Sequence, residues 1–234
     1  MRKLDPLGWL GGDIRGQRCL CLAAGGGKHG PLYAAAGADV TVVDISAAML
    51  ELDHRVAMER KIPLRTVQAS MDDLSAFAAQ AFDLVIHPVS TCYVSSVVPV
   101  YREVARVLRP GGIYISQHKQ PASLQADVQP GPHGGYELTE PYYRTDPLPP
   151  VTDSLHREAG TIEYLHRWEE LLGAMCRAGL MIEDLAEPLH ARRDAPPGSF
   201  AHRSTFVAPY VRVKARRVGQ ATSPVTPRQL IVTV

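Results

Sequence analysis

What this 234-residue sequence lacks narrows its function before any motif is considered. No apolar run reaches membrane-spanning length, and the basic start at Arg2 and Lys3 meets Asp5, Pro6 and Gly8 before a signal-type apolar region can build. A soluble protein is expected. Charge excess is also missing: 25 Lys and Arg face 24 Asp and Glu, a formal net charge of +1. No bulk attraction to nucleic acid or to an anionic membrane is implied, so a small-molecule partner is the expectation. Only four cysteines occur (Cys19, Cys21, Cys92, Cys176), none at metal-ligand or redox spacing. Cys19 and Cys21 sit two apart, on one face of a strand, as core residues do. No metal and a reduced, cytoplasmic setting are therefore expected.

What is present is organised around Cys19 to Asp44. An apolar run (Cys19 to Leu22) feeds Gly25, Gly26, Gly27 and Gly30; an alanine-rich segment and a second apolar run (Val40, Val42, Val43) then end in Asp44. The pattern reads as strand, glycine turn, helix, strand, acidic tip. Without Cβ atoms a turn lets backbone N–H groups and the positive end of the next helix approach a polar ligand closely. A carboxylate at the following strand tip accepts hydrogen bonds from a ribose diol. Gly25, Gly27 and Gly30 satisfy G-x-G-x-x-G, and the flanking elements separate this stretch from a plain βαβ turn.

Residues 19–27 resemble the first motif of the class I S-adenosylmethionine-dependent methyltransferases, hydrophobic-Leu-Asp-hydrophobic-Gly-x-Gly-x-Gly. Cys21 stands where the family has an acid, and Ala23 replaces the first glycine, which asks residue 23 to avoid positive φ. The string REVARVLRPGG (residues 102–112) before an apolar strand is similar to the family's later signature for small-molecule enzymes. The resemblance implies S-adenosyl-L-methionine as cofactor, S-adenosyl-L-homocysteine as product, and a turn at Ala23, Ala24, Gly25 and Gly27 that holds it. It further implies Asp44 on the ribose, Ile45 and Met49 over adenine and ribose, and Ser70, Met71 and Asp72 at the adenine edge.

Along the chain, Trp9 and Leu10 read as packing anchors in a short lead-in. Ser46 is a plausible N-cap for a helix to about Lys61 with Met49, Leu52 and Val56 on its buried face. Met49 is equally readable as ordinary core, and Asp53 as a solvated or capping carboxylate. Leu64–Ala69 reads as a strand, with Asp72 and Asp73 also readable as the start of a helix. Phe82–Ile86 is a strand delivering His87 to a carboxyl end, where open parallel sheets bind ligands. A helix through Val97, Val100, Tyr101, Val104 and Leu108 closes on Arg109–Gly112, and the next strand ends near His118. His87 and His118 are the candidate bases, with His87 also a candidate wall of the cofactor site.

Residues 120–158 are too proline-rich for a regular element and too aromatic for a linker. They read as a substrate lid carrying His133, Tyr136, Tyr142 and Tyr143, or else as a contact in a homodimer. Glu158–Ala178 is the clearest helix by spacing (Ile162, Leu165, Trp168, Leu172, Met175), ended by Gly179. Met181–Leu185 and Ser204–Arg216 supply two last strands. The expected fold is α/β: one doubly wound, Rossmann-like domain over 1–217, with a seven-stranded, mostly parallel sheet, a 120–158 insertion and a tail over 218–234. That the last strand is antiparallel is implied by the resemblance.

The expected activity is methyl transfer to a small acceptor at O, N or C. Two alternatives stand beside it. One is an NAD(P)-dependent oxidoreductase, against which Tyr210 and Lys214, four apart, fall in an alternating strand where rise alone separates them by roughly 13 Å. The other is a non-catalytic cofactor-binding protein.

Overall fold

In the computed structural model, which describes residues 4–152, 154 and 156–219, seven strands form one sheet in the order β3-β2-β1-β4-β5-β7-β6. β1 (Arg18–Leu22), β2 (Asp39–Asp44), β3 (Arg65–Gln68), β4 (Phe82–His87) and β5 (Leu108–Lys119) are parallel. β7 (Tyr210–Arg217) is antiparallel to both β5 and β6 (Leu180–Ala186), as expected. Strand order reverses between β1 and β4, which leaves a crevice at their carboxyl ends.

Alternation along the strands builds a core on each face. Cys19, Cys21, Val40, Val42, Leu84 and Ile86 point toward α1 (His29–Ala35). Leu20, Leu22, Val43, Val85 and Tyr114 point toward α3 (Val98–Val107), where Val100, Tyr101 and Val104 are fully buried. Trp9 and Leu10 are buried on the α1 side, and Trp9 Nε1 donates to Asp184 on β6 at 2.8 Å. Cys19 and Cys21 are buried, as their spacing suggested, as is Cys92, whereas Cys176 is exposed. Among the described residues no helix is long and apolar enough to cross a membrane.

Several elements depart from the sequence reading. Ser46 does cap α2 (Ala47–Arg60), its Oγ accepting from Met49 N–H at 3.3 Å, and Lys61 closes it in the left-handed region. The buried face, however, is Leu50, Asp53 and Ala57, one step round from Met49, Leu52 and Val56. No helix begins at Asp72. Arg109–Gly112 bulge out of the β4–β5 ladder, between the Phe82–Leu108 and Leu84–Ile113 pairs. The last strand begins at Tyr210, because Phe200–Arg203 form a short helix (α6).

The largest departure is Glu158–Ala178. Helix starts only at Glu169, as a π-helical turn to Gly173 that runs into α5 (Ala174–Arg177). Residues 161–167 are irregular because their backbone bonds to other segments: Tyr164 N–H donates to Cys92 O and Glu163 O accepts from Leu148 N–H. Glu163 is itself fully buried, between Lys119 Nζ at 2.5 Å and Arg157 Nε at 2.7 Å. Tertiary partners outweigh the helical spacing of Ile162, Leu165 and Trp168. The C-terminal strand suggested by Leu230–Val234 lies outside the described residues.

Candidate active site

The glycine turn is held from both sides by carboxylates. Asp44 Oδ2 accepts Gly25 N–H at 2.8 Å and its Oδ1 accepts Ser46 N–H at 2.9 Å. Asp53 Oδ2 accepts Gly26 N–H at 2.9 Å. Asp53 is therefore neither solvated nor a helix cap: it is fully buried, burial pushes its carboxyl pKa up, and its Oδ1 has no hydrogen-bond partner. A Cβ on Gly25 would lie 2.7 Å from Met49 Cβ and 2.9 Å from Asp44 Cγ, and one on Gly27 would lie 2.9 Å from Val56 Cγ2. Only glycine lets the turn lie this close to α2 and to the strand tip.

Ala23 does not avoid positive φ as the sequence reading required. Its φ is 46°, a left-handed conformation that costs a non-glycine residue about 1 kcal/mol or more.

Beside the turn, Ile45 is exposed and Met49 partly so, leaving an apolar shelf next to Asp44. Each Asp44 oxygen uses one lone pair on the protein, so the others remain for a ribose diol. The residues present therefore fit an adenosyl group. Ser70 and Met71 are half-buried nearby in sequence, and Met71 packs into the α3-side core. Asp72 is exposed and borders a separate groove with Asp73, Arg102 and Arg106.

Lys28 and His29 lead from the turn into a cavity of about 600 Å³ beyond the carboxyl ends of β4 and β5. Ile86, Pro88 and Val89 form one wall and Ile115, Gln117 and Arg212 the floor; Leu32 and Tyr33 of α1 face Leu4–Leu7, Trp9 and Leu10. Residues of the lead-in border this cavity, and none of residues 120–158 is in its lining. Asp5 folds the lead-in by taking the N–H groups of Trp9 and Leu10 at 2.8 and 2.9 Å.

The two candidate bases are turned away from this space. His87 borders the cavity, but its ring faces α3: Nδ1 is 2.7 Å from Tyr114 Oη and Nε2 is 2.7 Å from Ser90 Oγ. His118 lies between Thr91 Oγ1 at 2.9 Å and Ser116 Oγ at 2.7 Å, edge-on to Tyr101. Burial pulls both imidazoles down to about 3. Neutral rings with both nitrogens engaged suit a packed network better than proton transfer to a ligand.

The expected lid aromatics are not assembled into one cavity. His133 is exposed, Tyr136 packs with His202 and Phe206, and Tyr143 is exposed beneath Arg167. Tyr142 Oη accepts Trp168 N–H at 3.3 Å. None borders the cavity. The residues that do, Trp9, His29, Tyr33, Gln117 and Arg212, were missed as site residues. The signal available was alternation: Ile113, Ile115 and Gln117 share one face of β5 and His118 the other.

Sheet order, glycine turn and strand-tip acid are those of the class I S-adenosylmethionine-dependent methyltransferases, and the chain belongs to that family. It is an enzyme whose cofactor is S-adenosyl-L-methionine. The family described as "Methyltransferase domain" matches residues 20–116. An uncharacterized methyltransferase of Bacillus subtilis (strain 168), YbaJ, is 37% identical over 185 residues, 78% of this chain and 72% of the relative. A ubiquinone biosynthesis O-methyltransferase of Xanthomonas oryzae pv. oryzae (strain PXO99A) is 29% identical over 118 residues, about half of each chain. In fold, a putative S-adenosylmethionine-dependent methyltransferase from Listeria monocytogenes superposes with a TM-score of 0.69 at 18% identity, covering 88% of this chain and 92% of that one.

Proposed function

We propose that the protein transfers the methyl group of S-adenosyl-L-methionine to a small organic acceptor bound in the cavity between the β4 and β5 ends and the Leu4–Leu10 lead-in. The observation that carries this reading is the placement of a cavity lined by both apolar and polar side chains directly beside the glycine turn, with Lys28 and His29, which follow the turn, in its lining. The cofactor supplies a methyl group that is already electrophilic, so the protein has mainly to align and to exclude water. In this reading Asp44 holds the ribose, Ala23, Ala24, Gly25 and Gly27 present backbone to the methionine half, and Ile45 and Met49 cover the ring. Trp9, Leu10, Leu32 and Ile115 keep the acceptor side dry. Where the accepting atom must lose a proton, the ring that accepts it is His29, which borders the cavity as His87 does but lies outside the α3-side hydrogen-bond network; burial and the neighbouring Lys28 lower its pKa, so it is neutral at neutral pH. His87 and His118 act as positioning residues, fixing the ends of β4 and β5.

An oxidoreductase dyad is not formed, since Tyr210 and Lys214 both lie on β7 and Lys214 Nζ pairs with Glu183 at 3.1 Å. The test is calorimetric titration of wild type and Asp44→Ala with S-adenosylmethionine, S-adenosylhomocysteine and NAD(H), followed by labelled methyl transfer across a panel of small acceptors. Saturable binding of the two adenosyl ligands, weakened at least tenfold in the variant, and a labelled small product are expected. Label found only on protein or nucleic acid would overturn the small-molecule reading.

A further inference from the structure

Arg212 lies in a row of side chains on one face of β7, Tyr210, Arg212, Lys214 and Arg216, and differs from its cationic neighbours in making no ion pair among the described residues. Lys214 and Arg216 both pair with Glu183 of β6. Opposite Arg212 the register places Gln117 on β5 and Ala186 on β6, neutral on both sides. Among the described residues its side-chain hydrogen bond is a single one, Nε to Gln117 Oε1 at 2.7 Å. That bond orients the guanidinium and leaves the outer fork, two nitrogens in one plane, without a protein acceptor.

The acids around the cavity are occupied elsewhere. Asp5 accepts two backbone N–H groups, Asp184 accepts Trp9 Nε1 at 2.8 Å, and Glu187 accepts Gln120 Nε2 at 2.5 Å. Lys28 and His29 also line the cavity. The lining is thus apolar along Leu10, Leu32, Ile86 and Ile115, and beside the exposed Lys28 it holds the half-buried Arg212, oriented by Gln117 and, among the described residues, in no ion pair. A half-buried charge without a partner is costly, and the fork geometry of arginine matches planar, bidentate anions.

We propose, resting on the reading of this cavity as the acceptor site, that the acceptor is an apolar or aromatic molecule bearing a carboxylate, which Arg212 anchors as Gln117 holds the guanidinium in place. The anion fixes one end of the acceptor at β7 and so determines which of its atoms is presented at the glycine turn. The methionine half of the cofactor carries the same chemical group, and the test separates the two sources.

Wild type and Arg212→Gln, each saturated with S-adenosylhomocysteine, are titrated with benzoate, phenylacetate and indole-3-acetate and with the three matching neutral carboxamides, by saturation-transfer NMR. The acids are expected to bind wild type at least tenfold more tightly than their amides, a preference that Arg212→Gln abolishes and Arg212→Lys keeps in part. In parallel, both proteins are titrated with S-adenosylhomocysteine and with 5′-methylthioadenosine, which lacks the amino acid. Affinities within about threefold between wild type and variant are expected for both. Amides equal to acids in wild type, or no probe bound, overturns the proposal even if the variant does not fold. A variant that loses S-adenosylhomocysteine but keeps methylthioadenosine also overturns it, assigning Arg212 to the cofactor carboxylate. Failure of wild type to bind S-adenosylhomocysteine would instead remove the reading beneath it.

Discussion

The two faces of the sheet at the β4 and β5 ends carry different residue types and do opposite things. On the α3 face, His87, Tyr114, Ser90, His118, Thr91 and Ser116 satisfy one another in a dry network. On the α1 face, one residue along, Ile86, Ile115, Gln117 and Arg212 border open space. A histidine near a carboxyl end is functional or structural according to its parity in the strand, because successive side chains emerge on opposite faces. The closed face should therefore govern stability and the open face binding.

The largest expected effect tests the closed face by pH. His87 and His118 are held at about 3, far below the ordinary histidine value, so the folded state binds fewer protons than the unfolded chain between those limits. Their contribution is complete above about pH 6.5 and is lost as pH falls toward 3, by an amount on the order of several kcal/mol. Urea unfolding from pH 8 to 4 should show that decline, and His118→Asn should flatten it. The same variant should leave S-adenosylhomocysteine affinity within about twofold. A binding loss of a hundredfold would break the comparison by making His118 part of the site.

Next in size is Gly25→Ala, on the ligand side. Its Cβ would fall within 3 Å of Met49 and Asp44, neighbours that cannot both retreat. A stability loss of about 1–3 kcal/mol is expected together with a loss of cofactor binding beyond tenfold by calorimetry. His87→Gln tests whether the β4 end acts through positioning: methyl transfer should fall less than about tenfold, where loss of a general base costs ~100-fold or more. The smallest effect is reserved for the insertion. Tyr143→Ala removes an exposed ring that is not in the lining of the cavity, and stability should change by about 0.5 kcal/mol or less with cofactor and acceptor affinities unmoved.

The parts legible in the sequence are those set by local chemistry. The strand, glycine turn, helix and acid from Cys19 to Asp44 follow from backbone requirements that only certain residues meet, and Ser46 announces the start of α2. That the last strand is antiparallel followed from the family resemblance. Less legible was whatever distant partners decide. Ile162, Leu165 and Trp168 have helical spacing, yet the burial of Glu163 between Lys119 and Arg157 holds that stretch irregular. The bulge at Arg109–Gly112 and the place of the lead-in beside the cavity depend on how segments meet across the sheet. Composition marked residues 120–158 as unusual but could not say where they pack: Leu124 and Leu148 form a small core with Leu165, and Arg203 bonds the carbonyls of Ser123, Ala126 and Asp127.

Trp9, described above as an anchor of the lead-in, also gives the enzyme an optical reporter of its own. The sequence contains two tryptophans, Trp9 on the cavity wall and Trp168 packed against the opposite core. Occupancy of the cavity changes the surroundings of one indole and not the other. In a Trp168→Phe background the remaining emission comes from the cavity wall alone, so ligand entry becomes visible in stopped flow without any label.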